Sequence, residues 1–147
     1  MSGEETPTPA EKKLELRIPS ILGFEKVAME FAASVAKTMN FPAERIEDLK
    51  TAVAEACLNA IEHGHKLDAS TKVGVSLTMD DSKLQIAVRD EGQGVDRPET
   101  PSVEAKMTGE QTPRGWGIFL IENLMDEVQF QSTPEGHLVK MIIHLQK

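Results

Sequence analysis

The sequence predicts an α/β two-layer sandwich: a mixed, largely antiparallel sheet with its helices on one face. Three observations carry this. Five short stretches alternate apolar and polar residues, the period of strands that bury one face. Four of the five fall into two pairs joined by short polar turns, which read as two hairpins. Longer stretches repeat apolar residues at three- and four-residue steps, the period of helices with one buried stripe. The order is strand, two helices, hairpin, loop, helix, hairpin. Helices laid on one side of such a sheet bury both apolar faces at once.

Met1 to Ala10 (MSGEETPTPA) is polar and holds two prolines, so a disordered tail is expected, with residues 11–147 as one domain. Leu14, Leu16 and Ile18 alternate with Glu15 and Arg17 in the first strand; Pro19 ends it and Ser20 is placed to cap the next element. From Ile21 to Met39 the positions Ile21, Phe24, Val27, Phe31 and Val35 keep helical spacing. Asn40-Phe41-Pro42 breaks this helix and starts a second, Pro42 to His65, closed by Gly64. Its stripe is Ile46, Leu49, Val53, Ala56 and Ala60. A polar turn, His65 to Thr71, leads to Val73, Val75, Leu77 and Met79, which alternate. Asp80-Asp81-Ser82 turns, and Leu84, Ile86 and Val88 alternate in reply. Val95 to Arg114 has three prolines and no periodicity. A loop of about twenty residues inside a compact domain is usually functional. The last helix starts after Gly117, with Ile118, Ile121, Leu124 and Met125 as its apolar face. The closing hairpin pairs Val128, Phe130 and Ser132 with Val139, Met141, Ile143 and Leu145 across Pro134-Glu135-Gly136.

The chain of 147 residues is sized for one domain with one core, and 39% hydrophobic and 27% charged residues are ordinary for a globular protein. A net charge of −8 with no Lys/Arg cluster argues against direct nucleic-acid binding. No apolar run approaches the roughly 20 residues of a membrane span and no signal-peptide pattern opens the sequence, so a cytoplasmic protein is expected. The single cysteine, Cys57, reads as a small buried thiol.

Three motifs stand out. On the second helix Glu55 and Asn59 are four residues apart, so they stack on one face. At about 100° per residue that face points away from the centre of the apolar stripe. A carboxylate and an amide presented together suit holding a metal ion and activating a nucleophile. Asp90-x-Gly92-x-Gly94 ends a strand: the glycines allow a sharp turn and close approach of a flat ligand, and the aspartate can accept from an amino group. Gly115-x-Gly117 stands before a helix, where free N–H groups and the helix dipole favour phosphate, and Arg114 adds a bidentate cation. His63 and His65 flank Gly64 without any cluster at ligand spacing, so the bland reading of His63 is a cation at the helix end.

In this order the three motifs resemble those of the GHKL ATPases, which include gyrase and the histidine kinases. The sequence is most similar to their small single-domain branch, the anti-sigma-factor serine/threonine kinases of bacterial partner-switching systems. Glu55-Ala56-Cys57-Leu58-Asn59-Ala60-Ile61-Glu62-His63-Gly64 matches the N box and Asp90-Glu91-Gly92-Gln93-Gly94 the G1 box. Arg114-Gly115-Trp116-Gly117 and the helix after it match the G2 box. The resemblance runs from about Leu14 to the C-terminus.

It implies a Bergerat-type ATP-binding fold, ATP or ADP with Mg²⁺, Asn59 as the Mg²⁺ ligand, Glu55 as general base and Asp90 as reader of the adenine amino group. His63, Gly92, Gly94, Arg114, Gly115, Trp116 and Gly117 complete the implied nucleotide site. The implied partners are a STAS-domain anti-anti-sigma protein as substrate and a sigma factor or other regulator as the sequestered target, with a homodimer among the expected assemblies. The alternative is a nucleotide-gated protein-binding switch of the same fold without transfer. Glu55 favours the kinase, because a pure switch has no need of a base. Two features depart from the family pattern: Trp116 is bulky between its glycines, and the loop offers Arg97 and Lys106 but no further motif.

Overall fold

The computed structural model describes residues 11–64, 71–91, 112–133 and 136–145. The expected tail and most of the long loop therefore lie outside the described residues. Five strands form one sheet: β1 (Lys12–Pro19), β2 (Lys72–Met79), β3 (Lys83–Glu91), β4 (Glu127–Thr133) and β5 (Gly136–His144). Their order is β1-β2-β3-β5-β4. Every described pair is antiparallel, so the sheet expected to be mixed but largely antiparallel is antiparallel throughout these residues. The helices are α1 (Glu25–Thr38), α2 (Ala43–Asn59), continued by a π-helical turn (Ala60–Gly64), and α3 (Thr112–Leu124).

Register decides which side chains reach the core. Ile18 faces Val73 and Leu16 faces Val75, while Val75 faces Val88 and Leu77 faces Ile86. Val73, Val75, Leu77, Leu84, Ile86, Val88, Met141 and Ile143 are all buried. Successive strand residues point to opposite faces, so Arg17, Gly74 and Arg89 line the other side. There Glu91 lies across Gly74 and accepts from Arg17 Nε at 2.8 Å. At the β2–β3 turn Asp80 Oδ1 accepts from the Ser82 and Lys83 amides at 2.8 and 3.0 Å. The amide of Ser82 in particular holds the Asp80 carboxyl below its usual range.

Helix α1 departs from the expected stripe. Ile21 and Phe24 precede the helix and are exposed, as is Val27. Val35 is buried and Phe31 partly so, as expected, but the rest of the buried face is Ala28, Ala32, Ala33 and Ala36, and these alanines let α1 lie close against α2. The end of α1 follows a known stop. Asn40 takes a positive φ of 69°, its N–H donates to Lys37 O, and the Phe41 N–H donates to Ala36 O. These two bonds satisfy carbonyls that the helix leaves open, and Phe41 turns into the core. Ser20 caps nothing. It is buried, receives a hydrogen bond from Thr71 Oγ1 at 2.9 Å, and ties the end of β1 to the start of β2.

Candidate functional site

Helix α2 is built on its apolar stripe. Ile46, Leu49, Ala52, Val53, Ala56 and Cys57 are buried, with Leu49, Ala52, Val53 and Cys57 fully so. Burial pushes the Cys57 thiol up to about 12, helped by the charge of Glu25. Glu55 and Asn59 emerge half-buried in the last two turns. The expected helix to His65 changes character at Asn59, where α-helical bonding gives way to the π turn Ala60–Gly64. Such wide turns are common at functional sites because they re-aim the residues beside them. Ile61 anchors this one in the core, against β3 and β5.

Helix α3 supplies the second wall. It begins at Thr112, so Pro113 and both Gly115 and Gly117 lie inside its first two turns rather than ahead of it. Proline is tolerated at a helix start, where its missing N–H is not needed. The anion-binding start expected at Gly115-x-Gly117 is therefore displaced to Thr112. Gly117 is buried, and a Cβ placed on it would stand 2.5 Å from Glu55 Oε1 and 3.5 Å from Glu55 Cδ. The Glu55 carboxylate thus rests against bare backbone of α3. Gly117, having no side chain, leaves the room that this carboxylate occupies.

The other end of α3 is tied to the start of α2. Arg45 Nη1 donates to Asp48 Oδ2 at 2.9 Å and to Leu124 O at 3.3 Å, and Nη2 donates to Asp126 Oδ2 at 3.2 Å. The same Asp126 oxygen accepts from the His144 amide at 2.8 Å.

Asp90 occupies the end of β3, as expected, on the core side of the sheet and only 3% exposed. The His137 N–H reaches both carboxylate oxygens at 3.3 Å, and Gly136 lies directly under Oδ1. Sequence reasoning misses this contact with the start of β5. Pro134-Glu135-Gly136 signals a turn there, but no local pattern ties it to an aspartate 47 positions earlier.

Glu55, Asn59 and Gly117 thus fall on two helices in contact, and Asp90 on the strand beneath the π turn. The backbones of His63, Arg114, Gly115 and Trp116 lie in the π turn and in α3, while the side chains of His63, Arg114 and Trp116 lie outside the described residues. Gly92 and Gly94 lie outside them altogether. Among the described residues no group of three or more His, Cys, Asp or Glu could hold a metal ion, and no helix is long and apolar enough to cross a membrane.

Comparison with known proteins adds three findings. Residues 24–143 match the histidine kinase-like ATPase domain. The chain is 33% identical over 127 residues to the serine-protein kinase RsbW of Bacillus subtilis, across 81% of this chain and 78% of that protein. It is also 33% identical over 140 residues to the RsbW of Bacillus velezensis, across 90% and 85%. The crystal structure of the RsbU and RsbW domains of a Mycobacterium tuberculosis protein superposes with a TM-score of 0.66 at 18% identity. That likeness covers 91% of this chain and 32% of the other, and shows the shared fold.

Proposed function

The chain belongs to the histidine kinase-like ATPase domain family, in its serine-protein kinase RsbW branch, and from that premise we propose that it phosphorylates a serine of a small STAS-type antagonist protein with ATP. In the same cycle it sequesters a sigma factor or a comparable regulator. The observation that carries the reading is the meeting of Glu55 with Gly117, which joins the helix bearing Glu55 and Asn59 to the glycine-rich helix.

The residues present fit the chemistry. Asn59 offers one amide oxygen on the face it shares with Glu55, and Mg²⁺ prefers oxygen donors and keeps most of its waters, so one protein oxygen with the phosphates suffices. Bound there, Mg²⁺ would supply charge neutralisation across the phosphates. Glu55, one turn earlier, accepts the proton of the substrate serine as its Oγ bonds to the γ-phosphorus and the bond to the leaving ADP oxygen breaks. Asp90 accepts from the adenine amino group. The glycines Gly92, Gly94, Gly115 and Gly117, with His63, Arg114 and Trp116, bound the rest of the nucleotide. A homodimer is part of this reading, as is a cytoplasmic setting.

The test is incubation with ATP labelled at the γ-phosphate, Mg²⁺ and candidate STAS-type proteins of the same genome. Label on a serine of one of them is expected. Nucleotide-dependent binding of such a protein without transfer would replace the kinase by a nucleotide-gated switch.

A further inference from the structure

The adenine-reading role assigned to Asp90 leaves open what aims its carboxylate. Two observations on the start of β5 bear on this. The ladder between β3 and β5 runs from Lys83 opposite His144 to Arg89 opposite Leu138. One step further the His137 N–H turns to the Asp90 side chain instead, reaching Oδ1 and Oδ2 at 3.3 Å each. A donor within reach of both oxygens draws the carboxylate toward the start of β5, although each bond is long. The second observation is steric. Gly136 has a φ of +141°, in the region that disfavours side chains, and a Cβ there would overlap Asp90 Oδ1 and touch the Asp90 carbonyl. Gly136 thus meets two demands at once, a backbone angle and an empty space beneath a carboxylate that is itself almost wholly buried.

We propose that Gly136 and the His137 N–H are positioning elements for base selectivity, holding the Asp90 carboxylate in the orientation that accepts the 6-amino group of adenine. This rests on the adenine reading of Asp90 and deepens it. The β4–β5 hairpin then takes part in nucleotide discrimination although it carries none of the three sequence motifs. A Cβ at position 136 drives the carboxylate off its donor, and the selectivity goes with it.

The test measures binding of ATP and of inosine triphosphate, which has a 6-oxo group in place of the amino group, to the full chain and to Gly136→Ala and Asp90→Ala. The parent is expected to prefer ATP by roughly ten- to hundred-fold, the range for a hydrogen bond to a charged group. Gly136→Ala should lose most of that preference, approaching Asp90→Ala, while its affinity for inosine triphosphate stays near the parental value. A loss of structure would weaken both ligands alike, so the ratio separates positioning from unfolding. Should Gly136→Ala not fold, exchange of the His137 amide proton in parent and Asp90→Ala decides: at least ten-fold faster exchange in Asp90→Ala is expected, and equal rates overturn the proposal. If the parent and Asp90→Ala both lack preference, the adenine reading itself fails. If Asp90→Ala loses preference and folded Gly136→Ala keeps it, the reading stands and the positioning role is wrong.

Discussion

Replacing Gly117 by alanine isolates the contact on which the catalytic reading depends. The new Cβ would stand 2.5 Å from Glu55 Oε1. An ordinary carbon–oxygen contact begins near about 3.2 Å, so one partner must yield by roughly 0.7 Å. Gly117 sits in the helix backbone, whereas Oε1 ends a flexible side chain, so the carboxylate is what moves. The fold pays little for this, since alanine in place of glycine within a helix gains about 0.5–1 kcal/mol. The reaction is more sensitive: misplacement of a reacting group by about 1 Å can cost 10²-fold. Gly117→Ala is therefore expected to melt within a few degrees of the parent and to transfer phosphate about 10- to 100-fold more slowly. Single-turnover transfer from labelled ATP to the antagonist measures the rate, and calorimetric titration with ATP shows whether nucleotide still binds. In Glu55→Gln the added methyl should cost much less, because the base is already absent. Parental transfer by Gly117→Ala, or an equal loss in both backgrounds, would refute the claim that Glu55 depends on the room left by Gly117.

Four further expectations are open to direct measurement. Glu55→Gln should bind nucleotide as the parent does and transfer phosphate about 10²- to 10⁴-fold more slowly, the contribution of a positioned general base. Asn59→Ala should weaken ATP binding in the presence of Mg²⁺ and change little in its absence, as titration with and without the ion would show. Leu49→Ala, at a fully buried position in the middle of α2, should destabilise by about 2–5 kcal/mol in urea unfolding. Cys57 should make stability fall at alkaline pH: its thiol is pushed up to about 12 when folded and titrates near about 8.5 when unfolded. Between these values the folded chain holds one more proton, so stability declines as pH rises, by up to about 1.4 kcal/mol per unit, and Cys57→Ala should flatten that slope.

How much of this arrangement is legible in the sequence depends on the range of the forces involved. The face shared by Glu55 and Asn59 is legible because helix geometry alone places residues four apart together, and the stripe from Ile46 to Ala56 announces which side is buried. The strands are legible because alternation is local. The buried face of α1 is not: alanine carries little hydrophobic signal, so Phe24 and Val27 dominate the pattern although they remain exposed. The start of α3 is hidden because Pro113 and the glycines count as helix breakers along a chain, whereas at a helix start proline does no harm. Contacts between distant segments leave no trace in the pattern, as Asp90 with His137 and Arg45 with Asp126 both illustrate.

Those distant contacts explain how α2 can serve two purposes. It packs against α1 and α3, and its buried stripe belongs to the one core shared with the sheet, so the helix cannot roll without opening that core. Along its axis α3 is tied to it at both ends. Arg45, in the first turn of α2, takes up the Leu124 carbonyl, at the end of α3 where helices leave carbonyls unbonded, and the neighbouring Asp126. At the far end Gly117 meets Glu55. Polar bonds hold the end remote from the site, while at the site the Glu55 carboxylate lies against Gly117. A glycine neighbour confines Glu55 while leaving room for its carboxylate. On the proposed reading, the polar tie at Arg45 sets the register of α3 on α2 and with it the place of Gly117 beside Glu55.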